Sequence, residues 1–116
     1  MSEGRQGRQG RQGRRWTVTD AWGNPIYLTD ERWEHICDVH PMLADREADV
    51  RETIRKAPRR QDRLRSAKYF YQHPVAGLPG RATHIVAVVL FRFEPAGAGD
   101  PVENNYVATA YPKRIR

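Results

Sequence analysis

The chain has 116 residues, 39% hydrophobic and 29% charged, with 20 Lys or Arg against 14 Asp or Glu and a formal net charge of +6. That length gives room for one modest core and not two, and no apolar run is long enough to cross a bilayer as a helix. The single Cys37 excludes an intrachain disulfide, and the arginine-rich start lacks the apolar segment of a secretory leader, so a cytoplasmic location is expected.

Residues 1–15 read as a tail. Residues 5–13 repeat Arg-Gln-Gly three times, a cationic stretch with nothing to bury, for which disorder is expected. Arg5, Arg8, Arg11, Arg14 and Arg15 against Glu3 give the tail +4 and leave +2 for residues 16–116. The repeat reads either as an arm that contacts RNA through counterion release or as a solubilising segment.

Residues 16–116 are expected to form a single α+β domain. Residues 16–19 alternate like a strand, residues 21–24 supply turn chemistry and residues 25–28 give a second strand, predicting a small N-terminal β-hairpin. Thr29 can cap a helix with Asp30 and Glu31 in its first turn, and Pro41 stops that helix near Val39. Asp45 offers the cap of a second helix that runs to about Ala57, before Pro58. Trp33, Ile36, Cys37 and His40 share a face of the first helix, and Val50, Ile54 and Ala57 share a face of the second.

After Pro58 the pattern becomes that of strands, at residues 64–72, 84–93 and 105–111. The Gly- and Pro-bearing loops at 74–80 and 95–101 are short enough for hairpins, which predicts a three-stranded antiparallel meander with the apolar 84–93 strand in the centre. The expected order is β-β-α-α-β-β-β, one sheet with both helices on one face.

Charge is segregated in this part of the chain. Residues 51–68 hold eight Lys or Arg against Glu52 and Asp62, which favours an anionic partner. Arg59, Arg60, Arg63, Arg65 and Lys68, with Lys113 near the last strand, form the expected RNA-binding set. The alternative is an edge strand guarded by charge.

No metal site is expected, because His35 and Cys37 point about 200° apart on a helix and no second Cys or His pair completes a ligand set. Phosphate-binding, dinucleotide and nucleophile-elbow motifs are missing, so no cofactor is expected either. The remaining His, Arg, Lys, Tyr and Thr are the groups that a metal-free ribonuclease uses: a base, an acid and cations for the phosphorane charge. His40, at a helix end where the dipole favours the imidazolium, suits acid work or else completes the Trp33 face. His35 lies among Glu31, Glu34 and Asp38, as on a solvated surface. Tyr69 and Tyr71 share one face of a strand, as do Thr109 and Tyr111; sheet packing is the favoured reading of Tyr69 and Phe70, which leaves Thr109 and Tyr111 as the pair that points to function.

Four stretches together resemble the phage-type members of the barnase, EndoU, colicin and RelE-like nuclease superfamily. They are Asp20-Ala21-Trp22-Gly23-Asn24-Pro25-Ile26-Tyr27-Leu28-Thr29; Glu31-Arg32-Trp33-Glu34-His35-Ile36 with His40-Pro41; Val50-Arg51-Glu52-Thr53-Ile54 with Pro58; and Val107-Ala108-Thr109-Ala110-Tyr111. The resemblance implies a barnase/RelE-like fold, with two helices before an antiparallel sheet, and metal-independent RNA cleavage on the open sheet face by a toxin-like or mobile-element protein. By position it implies His40, Thr109 and Tyr111 as catalytic, with His35, Arg51 and Tyr71 as further candidates, RNA as substrate and an inhibitory protein of the antitoxin or immunity kind as a partner. Two other readings stay open: a non-catalytic RNA-binding module using Tyr69, Tyr71 and the arginines, and a protein-interaction domain whose acidic helix surface and basic strand surface meet partners or pair with one another head to tail.

Overall fold

Thr29 ends one strand and begins a helix in a single residue. Its backbone is extended and its side-chain oxygen accepts from the Arg32 N–H at 3.0 Å, so the chain passes from sheet to helix without a loop. The computed structural model describes residues 13–97 and 99–115. In it β1 (Arg14–Thr19) and β2 (Pro25–Thr29) form an antiparallel hairpin. Helix α1 (Asp30–Val39), a 3-10 turn (Pro41–Leu43) and helix α2 (Glu47–Lys56) follow. Then come β3 (Arg59–Gln61), β4 (Lys68–Pro74), β5 (His84–Leu90), β6 (Phe93–Ala96), β7 (Gly99–Glu103) and β8 (Tyr106–Lys113). The disorder expected for the Arg-Gln-Gly repeat falls on residues that lie outside the described ones, save Gly13. Arg14 and Arg15, grouped with the tail on sequence, belong to β1.

The topology corrects the expected fold class. The sheet is not a separate hairpin plus a three-stranded meander but a six-stranded mixed sheet in the order β1-β2-β8-β5-β4-β3, with β6 and β7 as a two-stranded sheet of their own. The α+β barnase/RelE-like arrangement predicted from sequence is therefore replaced by a mostly β one, eight strands with two α-helices among the described residues. Four findings overturn it. β2 joins β8 in parallel at Tyr27 and Tyr106, which fuses the N-terminal hairpin to the rest. Residues 59–61 add an edge strand against β4, and the loop expected at 95–101 is instead part of a second hairpin. The start of the predicted 64–72 strand is turn, because Asp62 Oδ2 accepts from the N–H groups of Leu64 and Arg65.

Both helices cover one face of the six-stranded sheet. Ile36 of α1 and Val50 and Ile54 of α2 are fully buried against Ile26, Leu28, Ile85, Ala87 and Val89. These strand residues recur with period two, so each strand gives alternate side chains to the core. Burying a Leu or Ile fully contributes about 1.5–3 kcal/mol, and this layer is the main source of stability. Arg15 ties the outer side of the helices to β1, pairing with Asp30 at 2.9 Å and with Glu47, which also accepts from the Trp16 ring N–H at 2.8 Å.

The core encloses one polar cluster. Tyr71 is fully buried and donates its hydroxyl to Asp20 Oδ2 at 2.6 Å. Asp20 also accepts from the N–H groups of Trp22 and Asn24 and from the Asn24 side chain, which closes the β1–β2 turn. The Arg59 guanidinium stands 3.7 Å from Asp20, over the rings of Tyr69 at 4.4 Å and Trp22 at 4.6 Å. Burial by itself pushes the Asp20 carboxyl up, but the hydrogen bonds from Tyr71, Asn24 and Trp22 outweigh it and hold the group below the usual carboxylate range. Burial, and then the bond to Asp20, push the Tyr71 phenol up. Among the described residues no helix is long and apolar enough to cross a membrane.

Candidate functional site

The face of the sheet away from the helices is where the strands present their unburied polar groups. Register places Arg60, Phe70, Val88 and Thr109 in one row across β3, β4, β5 and β8, with Gln72, Val86 and Tyr111 in the next. His84 and Lys113 pair at the end of the face, and Lys68, Leu90 and Tyr106 pair at the other. Beyond Tyr106 the face continues to Tyr27, whose ring stands 6.1 Å from that of Tyr106 and beneath the Arg14 guanidinium at 3.7 Å.

A β-bulge sets this arrangement. Val107 pairs with Val89 and faces the core, whereas Thr109 pairs with Val88 and faces out, which leaves Ala108 as the extra residue. Strict alternation would put Thr109 and Tyr111 on the core side with Val107. The bulge reverses them, so Tyr106, Thr109 and Tyr111 all point to the open face.

The strand positions of this face are basic, and Glu31 and Asp62 reach its two margins, beside Tyr27 and Tyr106 and beside Arg60. Positions in register with it on β1 to β5 and β8 hold Arg60, Lys68, His84 and Lys113 but no Asp or Glu. A shallow cleft lies on it, lined by Arg60, Phe70, Gln72, Val86, Tyr111 and Lys113, with Pro58 and Arg59 at the rim. Arg60 and Lys68 both stand over the Phe70 ring, at 4.6 and 5.5 Å. Such a surface offers cations to phosphate oxygens and ring faces to bases.

One imidazole stands beside this cleft's tyrosine, and a second lies one register step further along the open face. His40 caps the end of α1, its N–H bonded to the Ile36 carbonyl, and α1 packs beside β8. The half-buried His40 ring lies 6.4 Å from the Tyr111 ring, centroid to centroid. His84 shares the open face with Val86, the partner of Tyr111. Its Nδ1 lies 2.7 Å from the Thr83 hydroxyl, which also accepts from the Ile115 N–H at 3.0 Å. Nδ1 is thus engaged, and Nε2 is the nitrogen left for a ligand.

The residues singled out on sequence divide between the two sides of the sheet. His40, Thr109, Tyr111, Arg60, Lys68 and Lys113 come together on or beside the open face. Tyr71 does not, being locked in the core by Asp20, and Arg59 sits on the core side among aromatic rings. Arg51 lies on α2, over the Trp16 ring at 5.8 Å, and His35 is exposed on α1, so neither reaches the cleft. Arg63 and Arg65 are exposed in the β3–β4 turn, near the edge of the face. Sequence reasoning passed over His84, Phe70 and Gln72 as site residues. The signal for His84 was its period-two relation to residues 86 and 88, hidden by reading 84–93 as apolar on both sides. The described residues bring no three of His, Cys, Asp and Glu into a metal-holding group. In comparisons with protein families, curated proteins and solved structures, none matches this chain.

Proposed function

We propose that the open face binds single-stranded RNA and cleaves it without a metal ion. The observation that carries this reading is His40 beside Tyr111, with His84 one register step along the same strand face, which holds Arg60, Lys68 and Lys113. One of His40 and His84 takes the proton from a 2′-hydroxyl. The 2′-oxygen then bonds to phosphorus, the bond from phosphorus to the 5′-oxygen breaks, and the other imidazole gives that oxygen its proton. The products are a 2′,3′-cyclic phosphate and a 5′-hydroxyl. Lys113 and Arg60 oppose the charge that builds on the phosphorane, and Thr109 and Tyr111 orient its oxygens. Phe70 with its two cations stacks an unpaired base. The resemblance to the barnase, EndoU, colicin and RelE-like nucleases supports the same chemistry on the same three residues, His40, Thr109 and Tyr111; an inhibitory protein partner belongs to that proposal.

The test is cleavage of a labelled RNA oligonucleotide in EDTA by the full chain and by His40→Ala and His84→Ala. Each variant should lose about 10²–10⁴-fold in rate, the usual share of a general acid or base, while keeping RNA affinity. Cleavage at the unaltered rate in both variants contradicts the mechanism. Salt-sensitive binding with no cleavage by any form assigns the face to RNA binding alone, the reading favoured by the Arg60–Phe70–Lys68 stack.

A further inference from the structure

The β6–β7 hairpin is the opposite of the open face in charge and exposure. Residues 93–103 contain Glu94, Asp100 and Glu103 and no Lys or Arg. Phe93 is 71% exposed and Val102 51%, so the hairpin does not lie on its own sheet. It pairs only within itself among the described residues, which leaves the outer edges of both strands without ladder partners. An exposed phenylalanine on an acidic two-stranded arm needs a surface that is basic with apolar patches. The open face is such a surface, with Arg60, Lys68, Lys113 and His84 on the same side of the sheet as the half-buried Phe70 ring.

We propose that the β6–β7 hairpin of one molecule docks on the open sheet face of a second copy, and that the contact is reciprocal. Two copies related by a two-fold axis satisfy both complementary surfaces at once and close the assembly, whereas a one-way contact leaves a hairpin and a face unused at the ends. Opposite charge fixes orientation and speeds encounter, and the Phe93 and Val102 side chains supply the apolar contact. Glu103 accepts from the Asn105 side chain at 3.0 Å, which anchors the hairpin base and leaves Glu94 and Asp100 to meet the partner's cations. If the face is the RNA site, as proposed above, the docked hairpin masks it and RNA must displace the hairpin; this clause alone rests on that reading.

The experiment is sedimentation equilibrium of the full chain without RNA, so its outcome is independent of nuclease activity. A dimer is expected, weakened about tenfold or more when ionic strength rises from about 0.05 M to about 0.5 M. Glu94→Lys with Asp100→Lys should yield monomer, and so should Arg60→Glu with Lys113→Glu. An equimolar mixture of these two double variants should recover the dimer, since the reversed hairpin then meets the reversed face and the native face meets the native hairpin. Cooperative thermal melting of each variant establishes that it folds, and Phe93→Ser gives a third, uncharged way to weaken the dimer. A monomeric wild-type chain at all concentrations, a dimer indifferent to the hairpin changes, or a mixture that stays monomeric overturns the proposal.

Discussion

Tyr71 and Tyr111 stand on opposite faces of one sheet and have opposite fates. Tyr71 spends its hydroxyl on Asp20, inside a core at whose margin Arg59 stands against three aromatic rings. Tyr111 is half-buried, beside His40 and at the wall of an open cleft. The same side chain is structural where every polar group nearby is already bonded, and available where its neighbours are cationic and solvated. Strand side alone decides between the two, and on β8 that side is set by the bulge at Ala108.

The comparison can be broken by exchanging each tyrosine for phenylalanine. The largest effects expected are the losses of cleavage in His40→Ala and His84→Ala given above. Next in size, Tyr71→Phe should destabilise the fold by about 1–3 kcal/mol, since Asp20 stays buried with one donor fewer, and leave cleavage per folded molecule nearly intact. Tyr111→Phe should do the reverse, with a melting temperature within a few degrees of wild type and a clear loss of cleavage. Denaturant unfolding and rate measurements on both variants check the crossing.

The buried pair also sets a pH dependence. Asp20 is held below its ordinary range, so the unfolded chain binds more protons as the solution approaches pH of about 4. The stabilisation is present above that value and is lost as pH falls through the lower, folded pKa. Glu47, held down chiefly by its bond to Arg15, adds to the same acid limb. Tyr71 is shifted upward, so its contribution is present below the ordinary phenol value of about 10 and is lost as pH rises through the folded one. Asp20→Asn should flatten part of the acid limb in urea titrations across pH 2–7, a range of about five units set by the carboxylate pKa; an unchanged limb would show that Asp20 does not govern it. The smallest effect expected is from Thr29→Ala, about 1 kcal/mol from loss of the α1 cap, read by thermal melting.

Local signals were legible where a few adjacent residues fix the outcome. The Thr29 cap with its acidic first turn defines α1, and Pro41 after His40 ends it. The β1–β2 turn follows from Asp20, Gly23 and Asn24, with Gly23 at a φ of 87° that favours glycine. Partner choice was not legible. Nothing in residues 25–28 states that β2 will lie parallel to β8 some eighty positions later, and that pairing turned the expected hairpin and meander into a six-stranded mixed sheet. Pro95 and Pro101 read as loop breakers, yet a two-stranded hairpin with open edges accommodates both. Among the site residues, His40 was legible from its helix end and Thr109 and Tyr111 from their shared strand face, and the resemblance implied the same three. That Thr109 faces away from Val107 depends on a bulge that no spacing rule reveals, and His84 was hidden at the head of an apolar run.

On the proposed reading, RNA meets the open face and not the helix side. Amide chemical-shift mapping during titration with a short single-stranded RNA in EDTA separates the two sides. Shifts are expected at Arg60, Phe70, Thr109, Tyr111 and Lys113, with His35 and Arg51 silent; shifts centred on His35 and Arg51, or none on β3, β4 and β8, would overturn that reading.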